Sequence, residues 1–243
     1  MEKLYFQKMN LWANEKKLIK RKRLIFNFLN LHDIYQFKKE PLFRKTFLSK
    51  ANVNCVDGFV PSFFLSLSNL KKVKRLRGPQ FTKEFFENKQ LSQNQKHFFI
   101  GIEKEDLKKL ALKFKNLNEK KIFSYNPPYI KKIKFSEKEI AIIAKLINKI
   151  KPDYVWVCIG CPKQNILTKD LYEKTETKYF FNVGAALDFS LDKKKSAPKI
   201  FQQMGLEWFY RLITDFKYSK KKVLRSFIAL KYLLESARLK NEK

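Results

Sequence analysis

Val155-Trp156-Val157-Cys158-Ile159-Gly160 runs without a break into Cys161-Pro162-Lys163-Gln164-Asn165. A short, continuous apolar run closed by glycine reads as a strand buried on both faces, and the proline and polar residues that follow open a helix from Gln164 to Glu173. Strands buried on both faces belong to parallel sheets covered by helices. Five more stretches fit that description: Leu24 to Leu29, Asn52 to Val56, His97 to Ile102, Lys121 to Tyr125 and Tyr179 to Val183. Helices are predicted between them, from about His32 to Ser49, from Phe59 to Leu70, and from about Thr82. Another runs from Lys104 to Leu117, where apolar residues at 107, 110, 111 and 114 share one face. Ser136-x-x-Glu139 forms a capping box ahead of Ile140 to Ile150. Alternating strands and helices without an internal repeat specify an α/β fold, a mostly parallel sheet with helices on both faces.

Ligands of such sheets bind beyond the carboxyl ends of the strands. That rule gathers Asp57-Gly58, Gly101, Asn126 to Pro128, Gly160 to Gln164 and Gly184 to Asp188 onto one rim. With 243 residues, 44% of them hydrophobic and 24 of them Phe, the chain can bury a real core and is not disordered. The predicted organisation is an N-terminal extension over 1–23, an α/β core over 24–204 and a basic helical appendage over 205–243. In the appendage Val223, Phe227, Leu230, Leu234 and Ala237 follow a 4, 3, 4, 3 spacing among Lys and Arg. By default such a stripe packs on the protein's own core; an anionic bilayer or another subunit are the other readings.

The net charge of +30 requires solvation or anionic partners: nucleic acid, anionic lipid or phosphorylated substrates. Lysines are spread over the whole chain, so part of the charge reads as composition alone. Three cysteines make an odd set, which fits a reducing compartment. Cys158-x-x-Cys161 does not make a zinc site, because only Cys55, His32 and His97 remain as further ligands and none forms a second pair. No apolar run approaches the roughly 20 residues that span a bilayer.

Two kinds of chemistry suit the rim. A carboxylate at a strand tip, Asp57, can act as a general base, with Gly58 allowing the tight turn. Spacing alone favours an Asp-Gly turn that merely closes the strand. Gly160-Cys161-Pro162-Lys163-Gln164 brings a helix N-terminus and a glutamine to the rim, and the small residues around Gly184 let a ligand approach the backbone before Asp188. The chain has no Asp-x-Asp pair to hold a divalent ion, and Glu103-x-Glu105 and Glu137-x-Glu139 read as solvated helix starts. Side-chain cations would then have to meet the charge of a phosphorylated ligand, and Arg211 with Lys220-Lys221-Lys222 is the nearest supply in sequence.

These motifs, together with Ala197-Pro198, Gln202 and Gly205-Leu206-Glu207-Trp208-x-x-Arg211-Leu212, resemble those of the WecG/TagA/CpsF glycosyltransferases from about Leu24 to Arg225. The resemblance implies a Rossmann-like sheet and inverting, metal-independent transfer of a hexose or N-acetylhexosamine from a UDP-sugar to a lipid diphosphate-linked acceptor. It makes Asp57 the base and places Asn30, Gly58, Gly160, Pro162, Lys163, Gln164, Gly184 and Asp188 in the donor pocket. Arg211, Lys221 and Lys222 become the diphosphate clamp. No cofactor or metal is implied, and the setting would be cytoplasmic, peripheral at the inner face of the membrane, with the tail closing the site near an anionic lipid surface. Departures stand at Phe28, Gln80, Asn165, Ser196 and Tyr218, where the family carries other residues. The reading from another class is a basic nucleic-acid-binding protein, although no zinc knuckle, RNP sequence or helix-turn-helix is present; a family member acting only as a binding module is the third. The transferred sugar and the oligomeric state, a homo-oligomer included, are left open.

Overall fold

The structure is a computed structural model, which describes residues 23–47, 51–69, 75–194, 197–198, 200–201, 210, 213–214 and 224–235. Six strands form one sheet: β1 (Leu24–Leu29), β2 (Asn52–Val56), β3 (His97–Ile100), β4 (Ile122–Tyr125), β5 (Tyr154–Val157) and β6 (Tyr179–Asn182). Every pairing is parallel and the spatial order is β2-β1-β6-β5-β3-β4. The expected sheet is therefore present, and it is parallel throughout.

The helices are α1 (Leu31–Lys39), α2 (Pro41–Phe47), α3 (Phe59–Asn69), α4 (Gly78–Glu87), α5 (Lys89–Ser92), α6 (Lys104–Lys113), α7 (Glu137–Ile150), α8 (Lys163–Lys174) and α9 (Ala186–Ser190). A further helix, α10, covers 224–235. The single helix expected from His32 to Ser49 is two, because Pro41 pushes Glu40 into extended backbone, at φ −112° and ψ 102°. α4 starts at Gly78 rather than near Thr82, with Pro79 in its first turn, where a missing N–H costs nothing. β3 stops at Ile100 because Gly101 takes φ +87°.

Alternation along each strand divides the side chains between two unlike faces. Phe26, Trp156 and Phe181 point to one face, where Phe81, Phe85 and Phe86 of α4 meet them. Trp156 stacks on Phe181 at 4.4 Å and lies 4.8 Å from Phe86, ring centre to ring centre. The opposite face is mainly aliphatic: beside Phe98 and Phe180, Val155, Val157 and Ile100 lie under Ile140, Ile143 and Ile147 of α7 and Leu167 and Leu171 of α8.

Towards the β2 edge that second face becomes polar. Register aligns Asn54, Asn27 and Asn182 across β2, β1 and β6. Asn27 Oδ1 accepts from Asn182 at 2.7 Å and from Asn165 of α8 at 2.8 Å, while Asn27 Nδ2 donates to Asn54 at 2.9 Å and Asn52 at 3.2 Å. Thr168 Oγ1 donates to Asn182 Oδ1, and Asn52 Nδ2 donates to the carbonyls of Thr46 and Phe47 at the end of α2. The four asparagines of the strands and Asn165 are all buried. Paired amides inside a low-dielectric core hold α8 and α2 at fixed heights on the sheet, which a smooth aliphatic surface would not do.

Replacing Asn27 by Leu leaves four buried amides without their common partner, so a loss on the order of 3 kcal/mol is expected in urea denaturation. His97 provides a pH handle. Its Nδ1 accepts from Trp156 Nε1 at 3.1 Å, so its proton sits on Nε2, facing the Ser92 carbonyl at 3.4 Å. Burial holds its pKa down, from 6.5 to about 4. Below pH 6.5 the unfolded chain takes up a proton that the native state refuses, so stability falls from that pH down to about 4, by roughly 3 kcal/mol in all. His97→Gln removes this part of the slope, measured as unfolding free energy against pH.

Candidate functional site

The chain order fixes where a crevice opens. After β5 the chain moves towards β6 through α8 on the aliphatic side; after β3 it moves the other way, to β4, through α6 on the aromatic side. Adjacent strands whose connections diverge leave a gap at their carboxyl ends. A cleft lies at that point, between the ends of β3 and β5, lined by Gly101, Ile102, Glu103, Asp106, Asn126, Cys158, Leu187, Asp188, Leu191 and Lys193.

Its polar groups are tied to one another. Glu103 accepts from Asn126 Nδ2, Lys193 reaches Asp106, and Lys194 reaches Asp188. Lys113 pairs with Asp192 at 2.7 Å, so the turn after α9 is anchored to α6. Burial, and secondarily the charge of Asp188, pushes the Cys158 thiol well above its usual range. A thiol so placed stays protonated and is no nucleophile. Acidic side chains gathered in one cleft of a strongly basic chain are suited to accepting hydrogen bonds from hydroxyl groups.

The Gly160 turn is built from the motif that follows β5. Gly160 has φ +86°, the Cys161–Pro162 peptide is cis, and Pro162 sits just before the first turn of α8. Gln164 is 6% exposed; its Oε1 accepts from Gly160 N at 3.2 Å and its Nε2 donates to the Asn182 carbonyl at 3.4 Å. Its amide thus laces the turn to β6. A Cβ on Gly184, at φ +54°, would come within 3.5 Å of Gln164 Oε1, so these turns are in contact. Lys163 donates to the Ile130 carbonyl and lies 4.9 Å from the centre of the Tyr129 ring, which fastens the loop after β4 to the start of α8. Tyr125 donates to Glu139 at 2.7 Å; burial, with that bond second, raises its pKa to about 12, so its proton stays on the phenol. Glu139 is therefore engaged by Tyr125, while Ser136 Oγ caps α7 through Glu139 N.

Asp57 and Gly58 follow β2, and both backbone N–H groups donate to the Leu29 carbonyl, at 2.8 and 3.2 Å. Gly58 packs against Pro61 and the backbone of Asn30. Asn30 caps α1: its Oδ1 accepts from His32 N at 2.8 Å and its own N–H donates to Asp33 at 2.9 Å, a reciprocal capping box. Arg75 Nε donates to the Asp57 carbonyl at 2.6 Å, which brings a cation to this corner. β2 and β6 are two strand spacings apart, about 10 Å. Asp57, Asn30, Gly58, Gly160, Pro162, Lys163, Gln164, Gly184 and Asp188 thus share the carboxyl rim. Arg211, Lys221, Lys222, Ser196 and Tyr218 lie outside the described residues.

Phe28 is core, 5.0 Å from the Phe81 ring, and Gln80 turns along its own helix to Glu84. Glu103, read from sequence as solvated, is a wall of the cleft, as are Asn126, expected on the rim, and Asp106 and Lys193, which sequence reasoning did not single out. Only their position just past Gly101 and Tyr125 pointed there. Also unforeseen was α9, because Ala185 and Ala186 read as turn residues.

Two glycine substitutions separate backbone strain from crowding. Gly101 and Gly160 share nearly the same positive φ, but a Cβ on Gly101 would lie 2.5 Å from Ile159 Cγ2 whereas Gly160 has nothing within 4 Å. Gly160→Ala should cost about 1 kcal/mol in chemical denaturation and Gly101→Ala about 1 to 3 kcal/mol more.

Among the described residues no helix is long and apolar enough to cross a membrane. Comparison with known proteins finds similarity to an N-acetylglucosaminyldiphosphoundecaprenol N-acetyl-beta-D-mannosaminyltransferase of Staphylococcus aureus (strain MRSA252), 34% identical over 101 residues, 42% of this chain and 39% of the relative. A protein of the same name from Staphylococcus aureus (strain NCTC 8325 / PS 47) is 28% identical over 150 residues, 62% of this chain and 56% of the relative. The matched segments thus span less than two thirds of these relatives. The sequence model of the WecG/TagA/CpsF glycosyl transferase family matches residues 5–243, and the chain belongs to that family.

Proposed function

We propose that this chain transfers a hexose or N-acetylhexosamine from a UDP-sugar to a lipid diphosphate-linked sugar, in the assembly of a cell-envelope polymer. The observation that carries the reading is a single acid at a strand tip, Asp57, on the same rim as the Gly160 and Gly184 turns. The names of the relatives supply the acceptor class, an N-acetylglucosaminyl diphosphoundecaprenol, and N-acetylmannosamine as the first sugar to try.

In the proposed reaction Asp57 removes the proton from an acceptor hydroxyl as that oxygen bonds to the anomeric carbon. The bond from that carbon to the β-phosphate oxygen breaks, its electron pair leaves with UDP, and the configuration inverts. Charge gathering on the diphosphate is met by cations rather than by a bound ion. Arg75 stands at the Asp57 corner, and Arg211, Lys221 and Lys222 are the proposed contribution of the tail. Each such cation at ~4 Å contributes on the order of 4 kcal/mol at an effective dielectric near 20. Asp188, with Glu103 and Asp106, is proposed to accept hydrogen bonds from hydroxyl groups of the ribose or sugar, and Gln164 to keep the Gly160 turn in shape beneath the donor. The protein would work at the cytoplasmic face of the membrane that carries the lipid-linked acceptor.

A donor screen with UDP-hexoses and UDP-N-acetylhexosamines, a synthetic lipid-diphosphate acceptor, and wild type beside Asp57→Asn tests this. Wild type should transfer one sugar, and the Asn variant should lose at least about 100-fold in kcat with little change in donor affinity. Undiminished transfer by the variant would remove Asp57 from the reaction, and UDP binding without turnover from any donor would favour a binding module.

A further inference from the structure

Among the described residues that line the cleft between β3 and β5, one carries a positive charge: Lys193. It shares the cleft with the carboxylates of Glu103, Asp106 and Asp188. The backbone is turned to bring it there. After α9, Asp192 takes φ +57°, and the N–H groups of Lys193 and Lys194 both donate back to the Asp188 carbonyl, at 2.9 and 3.2 Å. A left-handed residue followed by amides that return to the helix is how such an end closes, and the Lys113–Asp192 pair pins the turn to α6.

The pair that Lys193 makes with Asp106 joins unlike partners. The Asp106 side chain, in the first turn of α6, is 9% exposed, whereas that of Lys193 is 47% exposed. The carboxylate is fixed in the wall, while the ammonium sits on a flexible four-carbon stem with three donors to direct. Asp188, for its part, has a lysine of its own in Lys194. One side of the Lys193 pair is therefore built to stay and the other to move.

We infer that Lys193 is a ligand of the donor's diphosphate, held by Asp106 until the nucleotide enters and then passed to its phosphate oxygens. The inference rests on the proposed function for the identity of the anion, and adds to it a residue and an exchange of partners. Asp57 closes β2, three strand spacings or about 14 Å from β5, so the sugar end of the donor belongs there and the nucleoside-side phosphate nearer the cleft. Lys193 is bonded through its backbone to Asp188, on the cleft side of that span. The exchange leaves no buried charge bare, which would be costly. Before entry Lys193 satisfies Asp106; after it, a ribose hydroxyl donates to Asp106 while the lysine meets the phosphate.

Titration of the full chain with UDP and with uridine tests this, followed by ligand-observed NMR on wild type, Lys193→Gln, Lys193→Arg and Asp106→Asn. Lys193→Gln should weaken UDP by about tenfold and leave uridine unchanged, the loss of one charge-assisted hydrogen bond to phosphate. Lys193→Arg, which keeps the charge, should restore most of the UDP affinity. Asp106→Asn should strengthen UDP by about threefold, because it removes both the competing partner and a negative charge beside the phosphate. A pair that only pins the turn to α6 gives the opposite sign: both Lys193→Gln and Asp106→Asn would weaken UDP, and uridine with it. That result would overturn the inference, as would UDP affinity of Lys193→Gln equal to wild type. A raised KM for the lipid-diphosphate acceptor with UDP affinity unchanged would also overturn it, and would assign Lys193 to the acceptor. Wild type that binds no UDP defeats the proposed function and the inference together, whereas UDP binding indifferent to Lys193 defeats the inference alone. Thermal melting of each variant reports folding separately, and a half-exposed Lys193 should leave it unchanged.

Discussion

The placement of the rim depends on the buried amides around Asn27. A parallel sheet with aliphatic cover has little to stop a helix sliding along it, because apolar contact is non-directional. Hydrogen bonds are directional, and here they run from the end of α2, through Asn52 and Asn27, to Asn182 and Asn165. Asn165 stands about one helical turn from Pro162 and Thr168 about two, so fixing the height of α8 fixes the height of the turn that meets Gly184. Gln164 completes the connection by bonding to that turn and to β6 at once.

The two faces of the sheet share the work unequally. Aromatic rings fill the side of α4, where large rigid groups cover wide area with few rotatable bonds. Branched aliphatic side chains fill the side of α7, where repeated Ile at 140, 143 and 147 matches the helical period. Between them the chain reverses direction at β3 and β5, and the polar groups of the cleft collect where neither packing scheme reaches. Glu103, Asp106 and Asp188 are tolerated there because lysines and Asn126 meet them.

The strands were legible because a parallel sheet writes itself as short uninterrupted apolar runs, and each of the six lies within two residues of its expected bounds. The crossing order was not legible, since nothing local says that β6 lies between β1 and β5. For that reason the cleft walls at Glu103 and Asp106 could not be told from other surface residues, although the strand-end rule did bring Asn126 to the rim. Asn30 illustrates a different limit. Its place on the rim was readable, but its capping bond to the backbone of His32 competes with any ligand for the same oxygen, and one letter cannot show which partner it meets. Pro41 was a readable break within an expected helix, yet the apolar pattern on either side masked it.

Among the contacts that seat α10 are Ala229 and Leu233, buried beside Ile34 of α1, and two cation–ring pairs, Arg225 over Tyr35 and Lys38 over Tyr232, whereas each central strand is clamped on both faces and both edges. Stability is therefore graded across the molecule, high in the sheet and shallow at this helix, and local opening there needs only a fraction of the global unfolding free energy. Because cations over rings are part of that seating, its strength depends on ionic strength in a way that the packed interior of the sheet does not.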